Sequence, residues 1–182
     1  WYLGYRVDPD SGYVGRLNHK NVPVAAGKIA TVSLPVLERD GEISGEVLDP
    51  AGAPLAGATV IAEGAGPLVD ALRFHTRTAG DGTFSLTVPH GDYHLGATVG
   101  ITDAIKPAMR HVVVPQDGAS TGNILQFRLP DATISGTMTI TGTQAITGAV
   151  KLWGWAEDDA LVTTRVPVTA SQGTYSLDVV SG

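Results

Sequence analysis

The 182 residues predict an all-β protein of tandem, seven-stranded antiparallel sandwiches. Three observations carry that expectation. Apolar residues alternate with polar ones over short runs, as a half-buried strand requires. Twenty-three glycines and 11 prolines punctuate the chain into short strands at 8–12-residue spacing. No stretch holds a capped 3.6-residue apolar spacing, so almost no helix is expected beyond one short turn at 70–72.

The elements follow in chain order. In 1–40, Leu34 and Val36 alternate. Residues 45–48 form a strand that runs into Asp49-Pro50-Ala51-Gly52, where Pro presets φ and Gly accepts a positive one. Phe84, Leu86 and Val88 share one face of a strand over 83–88, entered through a Gly80-Asp81-Gly82 turn. Leu125, Phe127 and Leu129 alternate, as do Tyr175, Leu177 and Val179. Units of this size bury a modest core without disulfides.

The chain is also periodic. Ile43-Ser44-Gly45 recurs as Ile134-Ser135-Gly136, and Gly57-Ala58 as Gly148-Ala149. The run 82–88 recurs as 173–179, so three anchors share one offset of 91 residues. The ends are expected to fall inside a repeat. Residues 41–131 make a complete sandwich; 1–40 are the back part of one and 132–182 the front part. Gly182 followed by Trp1-Tyr2 would restore the Gly91-Asp92-Tyr93 pattern, so an adjoining copy is expected to complete the split sandwich. The chain begins without Met, from which a processed or cut N-terminus is expected.

Residues 45–60, then Thr78-Ala79-Gly80-Asp81-Gly82-Thr83-Phe84-Ser85-Leu86, then Gly91-Asp92-Tyr93, resemble the carboxypeptidase regulatory-like domain. The resemblance implies a transthyretin-like (prealbumin-like), Ig-like sandwich and a non-catalytic module, common in tandem in secreted or surface proteins and appended to hydrolases. The second copy departs from the pattern at Thr143, Ala145 and Gln172. The N-terminal part matches only the family's back end, with 22–24, 26–27 and 29–37 as its last strands.

Composition excludes several functions. A net charge of −6 offers no basic patch for phosphates, so no nucleic-acid partner is expected. The longest apolar run, 22–37, is interrupted by Lys28 and two prolines and does not span a membrane. No cysteine is present, which removes disulfides and thiol catalysis. No G-x-S-x-G elbow or phosphate-binding glycine loop occurs, so no catalytic or cofactor-binding residue is expected.

Four clusters carry candidate chemistry. His90, Asp92 and His94, with His111 nearby, could ligate zinc on one strand face, but nothing fixes a fourth ligand and solvated polar residues are the expectation. Glu157-Asp158-Asp159 and Asp8-Pro9-Asp10-Ser11-Gly12 are acidic loops open to surface calcium, without the EF-hand spacing. Trp153 and Trp155, two apart, share a strand face suited to stacking on a glycan or to an interdomain contact. Lys151 stands at the counterpart of inward Val60. Either a cross-link to Asn or Asp resolves that burial, or a register shift turns Val150 and Leu152 inward instead.

The function expected is therefore structural: a repeat unit of an extracellular or cell-surface fibre, filament, stalk or adhesin. Its partners would be adjoining copies of itself, as a head-to-tail polymer or a continuous tandem array. The alternative is a carbohydrate-binding or spacer module of a secreted hydrolase, resting on Trp153 and Trp155.

Overall fold

A computed structural model describes residues 1–182 apart from 4, 16–19, 101–103, 143–146, 156–160 and 182, and apart from the side chains of 9, 20, 155 and 161. Its described residues are all-β save one 3₁₀ turn, Pro9–Ser11. The short turn anticipated at 70–72 is a non-helical turn in which Ala71 takes φ 67°.

Among the described residues fifteen strands follow in order. β1 (Tyr2–Leu3) pairs with β3 (Lys20–Asn21), and β2 (Tyr13–Gly15) with β4 (Val36–Glu38). Seven strands then build two sheets. β5 (Gly41–Leu48), β8 (Thr83–Val88) and β11 (Ala119–Gln126) form one in the order β11-β5-β8. β6 (Thr59–Gly64), β7 (Arg73–Arg77), β9 (Gly91–Thr98) and β10 (Arg110–Val114) form the other in the order β10-β9-β6-β7. Last come β12 (Ala132–Thr139), paired with β15 (Gln172–Val179), and β13 (Gly148–Trp155), paired with β14 (Leu161–Val168).

The two central sheets face each other across one apolar core. Phe84, Leu86 and Val88 point inward while Thr83, Ser85 and Thr87 point out, as the alternation predicts. Opposite them Val60, Ala62, Tyr93 and Leu95 are fully buried. Leu125 in β11 and Phe127 just after it close the core, whereas Leu129 is exposed. Each fully buried Ile, Leu or Phe side chain stabilises the sandwich by about 1.5–3 kcal/mol.

One part of the expectation is corrected: the sandwich is not wholly antiparallel, because β11 lies parallel to β5. The chain reverses at each of the connections from β5 to β11, so the first and seventh strands run the same way. Asn123 marks a bulge in this ladder and donates from Nδ2 to the carbonyls of Ser44 and Ser120, both at 3.0 Å. Gly45 is required beside it, since a Cβ there would lie 1.9 Å from the Asn123 carbonyl oxygen.

The ladder Ile43↔Leu86 has a matching ladder Ile134↔Leu177, each residue 91 further along. Toward the N-terminus, Val14↔Leu37 stands in the same relation to the bridge Ile105↔Arg128, and Tyr2↔Asn21 to Tyr93↔Val112.

The β13–β14 hairpin departs from that spacing. At an offset of 91, Lys151 and Trp153 would occupy the buried places of Val60 and Ala62. Instead they are exposed, and Val150 and Leu152 turn inward. Val60, Ala62 and Gly64 therefore correspond to Val150, Leu152 and Gly154, an offset of 90. The residue lost before β13 is regained at the turn between β14 and β15, where Ala170 and Ser171 form a two-residue reversal. Gly148 thus takes the place of Ala58, and the Gly57-Ala58 anchor does not correspond in space to Gly148-Ala149.

Candidate functional site

The sequence candidates are dispersed. His90, Asp92 and His94 do not share a face. The His90 backbone N–H donates to Asp40 Oδ1 at 2.8 Å, and its Nδ1 lies 2.7 Å from Asp40 Oδ2. Asp92 and His94 instead point out of β9, where His111 Nε2 stands 3.5 Å from Asp92 Oδ1 and the His94 and His111 rings are 5.8 Å apart. Among the described residues no group of three His, Asp or Glu side chains is placed to hold a metal ion.

Trp153 is 50% exposed on β13, on the same face as Lys151. Trp155 ends that strand opposite Leu161, and its side chain lies outside the described residues. Lys151 stands across from Arg165 on this exposed face, so the burial that called for a cross-link does not arise. The acidic run Glu157-Asp158-Asp159 lies outside the described residues. In the other acidic loop, Asp8 Oδ1 accepts from the Asp10 N–H at 3.0 Å and the Asp8 carbonyl accepts from the Ser11 N–H at 3.1 Å. Gly12 at φ 75° ends the turn, so Asp8 serves as a helix cap.

Sequence reading missed the feature that the structure makes most of. Asp40 sits just before β5 and receives both hydrogen bonds of His90, just after β8. Burial pushes the Asp40 carboxyl up, but the His90 hydrogen bonds outweigh it and hold the group below its ordinary value. Tyr93 packs above this clamp and donates its hydroxyl to the Pro89 carbonyl at 2.7 Å. Burial, then the Asp40 charge, pushes that phenol well above its usual range. The clamp recurs 91 residues on: Ser181 donates from its N–H to Asp131 Oδ1 at 2.6 Å and from its hydroxyl to Oδ2 at 2.7 Å. The available signal was the equal spacing of Asp40–His90 and Asp131–Ser181. It was hidden because the partner side chains differ while the backbone donor is shared.

Strand edges are the remaining feature. Among the described residues β1 pairs only with β3, and β13 only with β14. By contrast β9, in the centre of its sheet, pairs with both β10 and β6. Likewise β12 pairs only with β15, where β5 has both β8 and β11. Unpaired N–H and C=O rows of this kind favour strand addition.

Residues 42–129 match the family model of the carboxypeptidase regulatory-like domain, which bears out the resemblance drawn from its motifs. None of the curated proteins matches the chain. Among solved structures, the chain is similar to the Bacillus anthracis TIE protein at 17% identity and a TM-score of 0.42, over 94% of this chain and 33% of that one. It is also similar to a Streptococcal ancillary pilin at 12% identity and a TM-score of 0.39, over 99% of this chain and 62% of the other. The chain spans less than two thirds of either structure's length.

Proposed function

We infer that this chain, whose residues 42–129 form a carboxypeptidase regulatory-like domain, is a non-catalytic structural repeat unit of an extracellular or cell-surface fibre, stalk or adhesin. Its copies join head to tail, residues 132–182 of one with residues 1–40 of the next, around the sandwich at 41–131.

One observation carries the reading: the ladders flanking the central sandwich repeat its own ladders. β12–β15 has the register of β5–β8, and β1–β3 that of β9–β10. Asp131 repeats the clamp of Asp40. The flanks thus carry the two halves of a second sandwich, and a half-sandwich leaves an apolar face and strand edges to be covered. A front half that accepts a back half is a heterologous contact, which propagates instead of closing. The Gly- and Pro-rich turns and the low charge suit a protease-resistant rod, and the family's occurrence in secreted and surface proteins supports the location.

Electron microscopy with sedimentation tests this. Rods or a ladder of lengths growing with concentration are expected; a monodisperse monomer at high concentration would overturn the proposal.

A further inference from the structure

The open edges together with the burial pattern fix which strand meets which between two head-to-tail copies. Resting on that reading, we propose that β1 of a second copy of this chain adds antiparallel to the open edge of β13, with Leu3 opposite Leu152 and Trp1 opposite Gly154. In the same contact, residues 28–35 of that copy lie parallel to β12.

The strand arithmetic closes. Joining β3-β1 to β13-β14 gives the order β3-β1-β13-β14, which reproduces β10-β9-β6-β7 of the central sandwich. Adding 28–35 beside β12-β15 reproduces β11-β5-β8. These residues take no strand pairing among the described residues, and Ile29 among them is 96% exposed.

Side-chain facing fixes the register. In the central sandwich Val60, Ala62 and Gly64 oppose Ala97, Leu95 and Tyr93. On β13 the inward counterparts are Val150, Leu152 and Gly154. On the N-terminal strand an offset of 91 would set Tyr2 and Asn21 in the places of Tyr93 and Val112. Val22 and not Asn21 is buried, however, so by facing the pair is matched by Trp1 and Val22, one residue off that spacing. There the Val22 N–H donates to the Trp1 carbonyl at 2.8 Å, and the Trp1 amine to the Val22 carbonyl at 3.2 Å. Val22 is already 6% exposed, as Val112 is 5%, but Trp1 is 83% exposed where Tyr93 is fully buried. The partner's Gly154 leaves room for that ring: a Cβ at Gly154 would meet nothing closer than Val162 at 3.8 Å. Leu3 follows on the same face by alternation. A shift of one residue would turn Tyr2 inward and Leu3 outward, so the register is specified.

The absence of cysteine makes the test direct. Lys151→Cys and Tyr2→Cys lie on the outward faces, at exposed positions that leave the cores intact. In the proposed register they are diagonal neighbours across the new pair, roughly 7–8 Å apart. A thiol cross-linker of that reach is expected to couple a mixture of the two variants and neither variant alone. Trp1→Ala is expected to weaken self-association roughly 10- to 100-fold, the loss of one buried aromatic anchor. Coupling of the Lys151→Cys variant with itself would overturn the inference, since the contact would then be isologous. Association by sedimentation without mixed coupling would overturn this edge and leave the head-to-tail reading standing. Absence of association would overturn both.

Discussion

Asp40 accepts two hydrogen bonds from one residue, as exposed Asp131 does, but with only 7% of its side chain exposed. Asp40→Ala removes both and leaves the His90 N–H to find water at a crowded strand end. Hydrogen bonds to charged groups are worth about 1.5–3 kcal/mol, so denaturant unfolding should show a loss of about 2 kcal/mol. Asp131→Ala, whose carboxylate is exposed to solvent, should cost less. The acid dependence follows from the same carboxyl. Its folded pKa is depressed, so its contribution is present above the unfolded value near 4 and is lost as pH falls through the folded value. Stability of the protein should therefore drop below about pH 4, and Asp40→Ala should flatten that drop.

At the scale of elements, the turn between β14 and β15 carries a removable strain. Ala170 and Ser171 hold φ 49° and 63° between Thr169 and Gln172, which exchange hydrogen bonds of 2.8 and 3.0 Å. Two consecutive positive φ values suit Asn-Gly, so Ala170→Asn with Ser171→Gly should stabilise the hairpin by about 1 kcal/mol. Thermal melting should then rise by roughly 2–4 °C, given the size of the chain. The strands themselves were legible: alternation placed β8 and β15, and the Asp49 and Gly82 turns bounded their neighbours. The facing of β13 was not decided, because a lost residue before it and a gained one after β14 cancel in the numbering. Inward placement was read for Lys151 from spacing alone, and only burial could choose between it and Val150. The Asp40 clamp escaped because its two residues are 50 apart and half of its bonding is to backbone. Nor could spacing tell which candidate side chains gather: alternation set Asp92 and His94 on one face, but His90 is drawn away by Asp40.

At the scale of the whole molecule, what separates a marginal half-sandwich from a stable one is cover for its edges. β12–β15 and β13–β14 are each two strands wide, and ribbons of that width are weak alone in water. Their stability should thus depend on protomer concentration while that of the central sandwich does not. The described helix content is a single 3₁₀ turn, and no helix among the described residues is long and apolar enough to cross a membrane.

The parallel alignment of β5 with β11 has a mechanical consequence. Pull along the chain enters the central sandwich at the start of β5 and leaves at the end of β11, and these two strands are bonded side by side from Glu42↔Ala119 to Leu48↔Gln126. Opposed forces on neighbours running the same way load every rung of that ladder in shear at once, whereas an antiparallel pair would peel open one rung at a time. Stretching single molecules should meet one abrupt, high-force rupture of this unit, and breaking the β5–β11 rungs with a proline at Glu46 should lower it sharply.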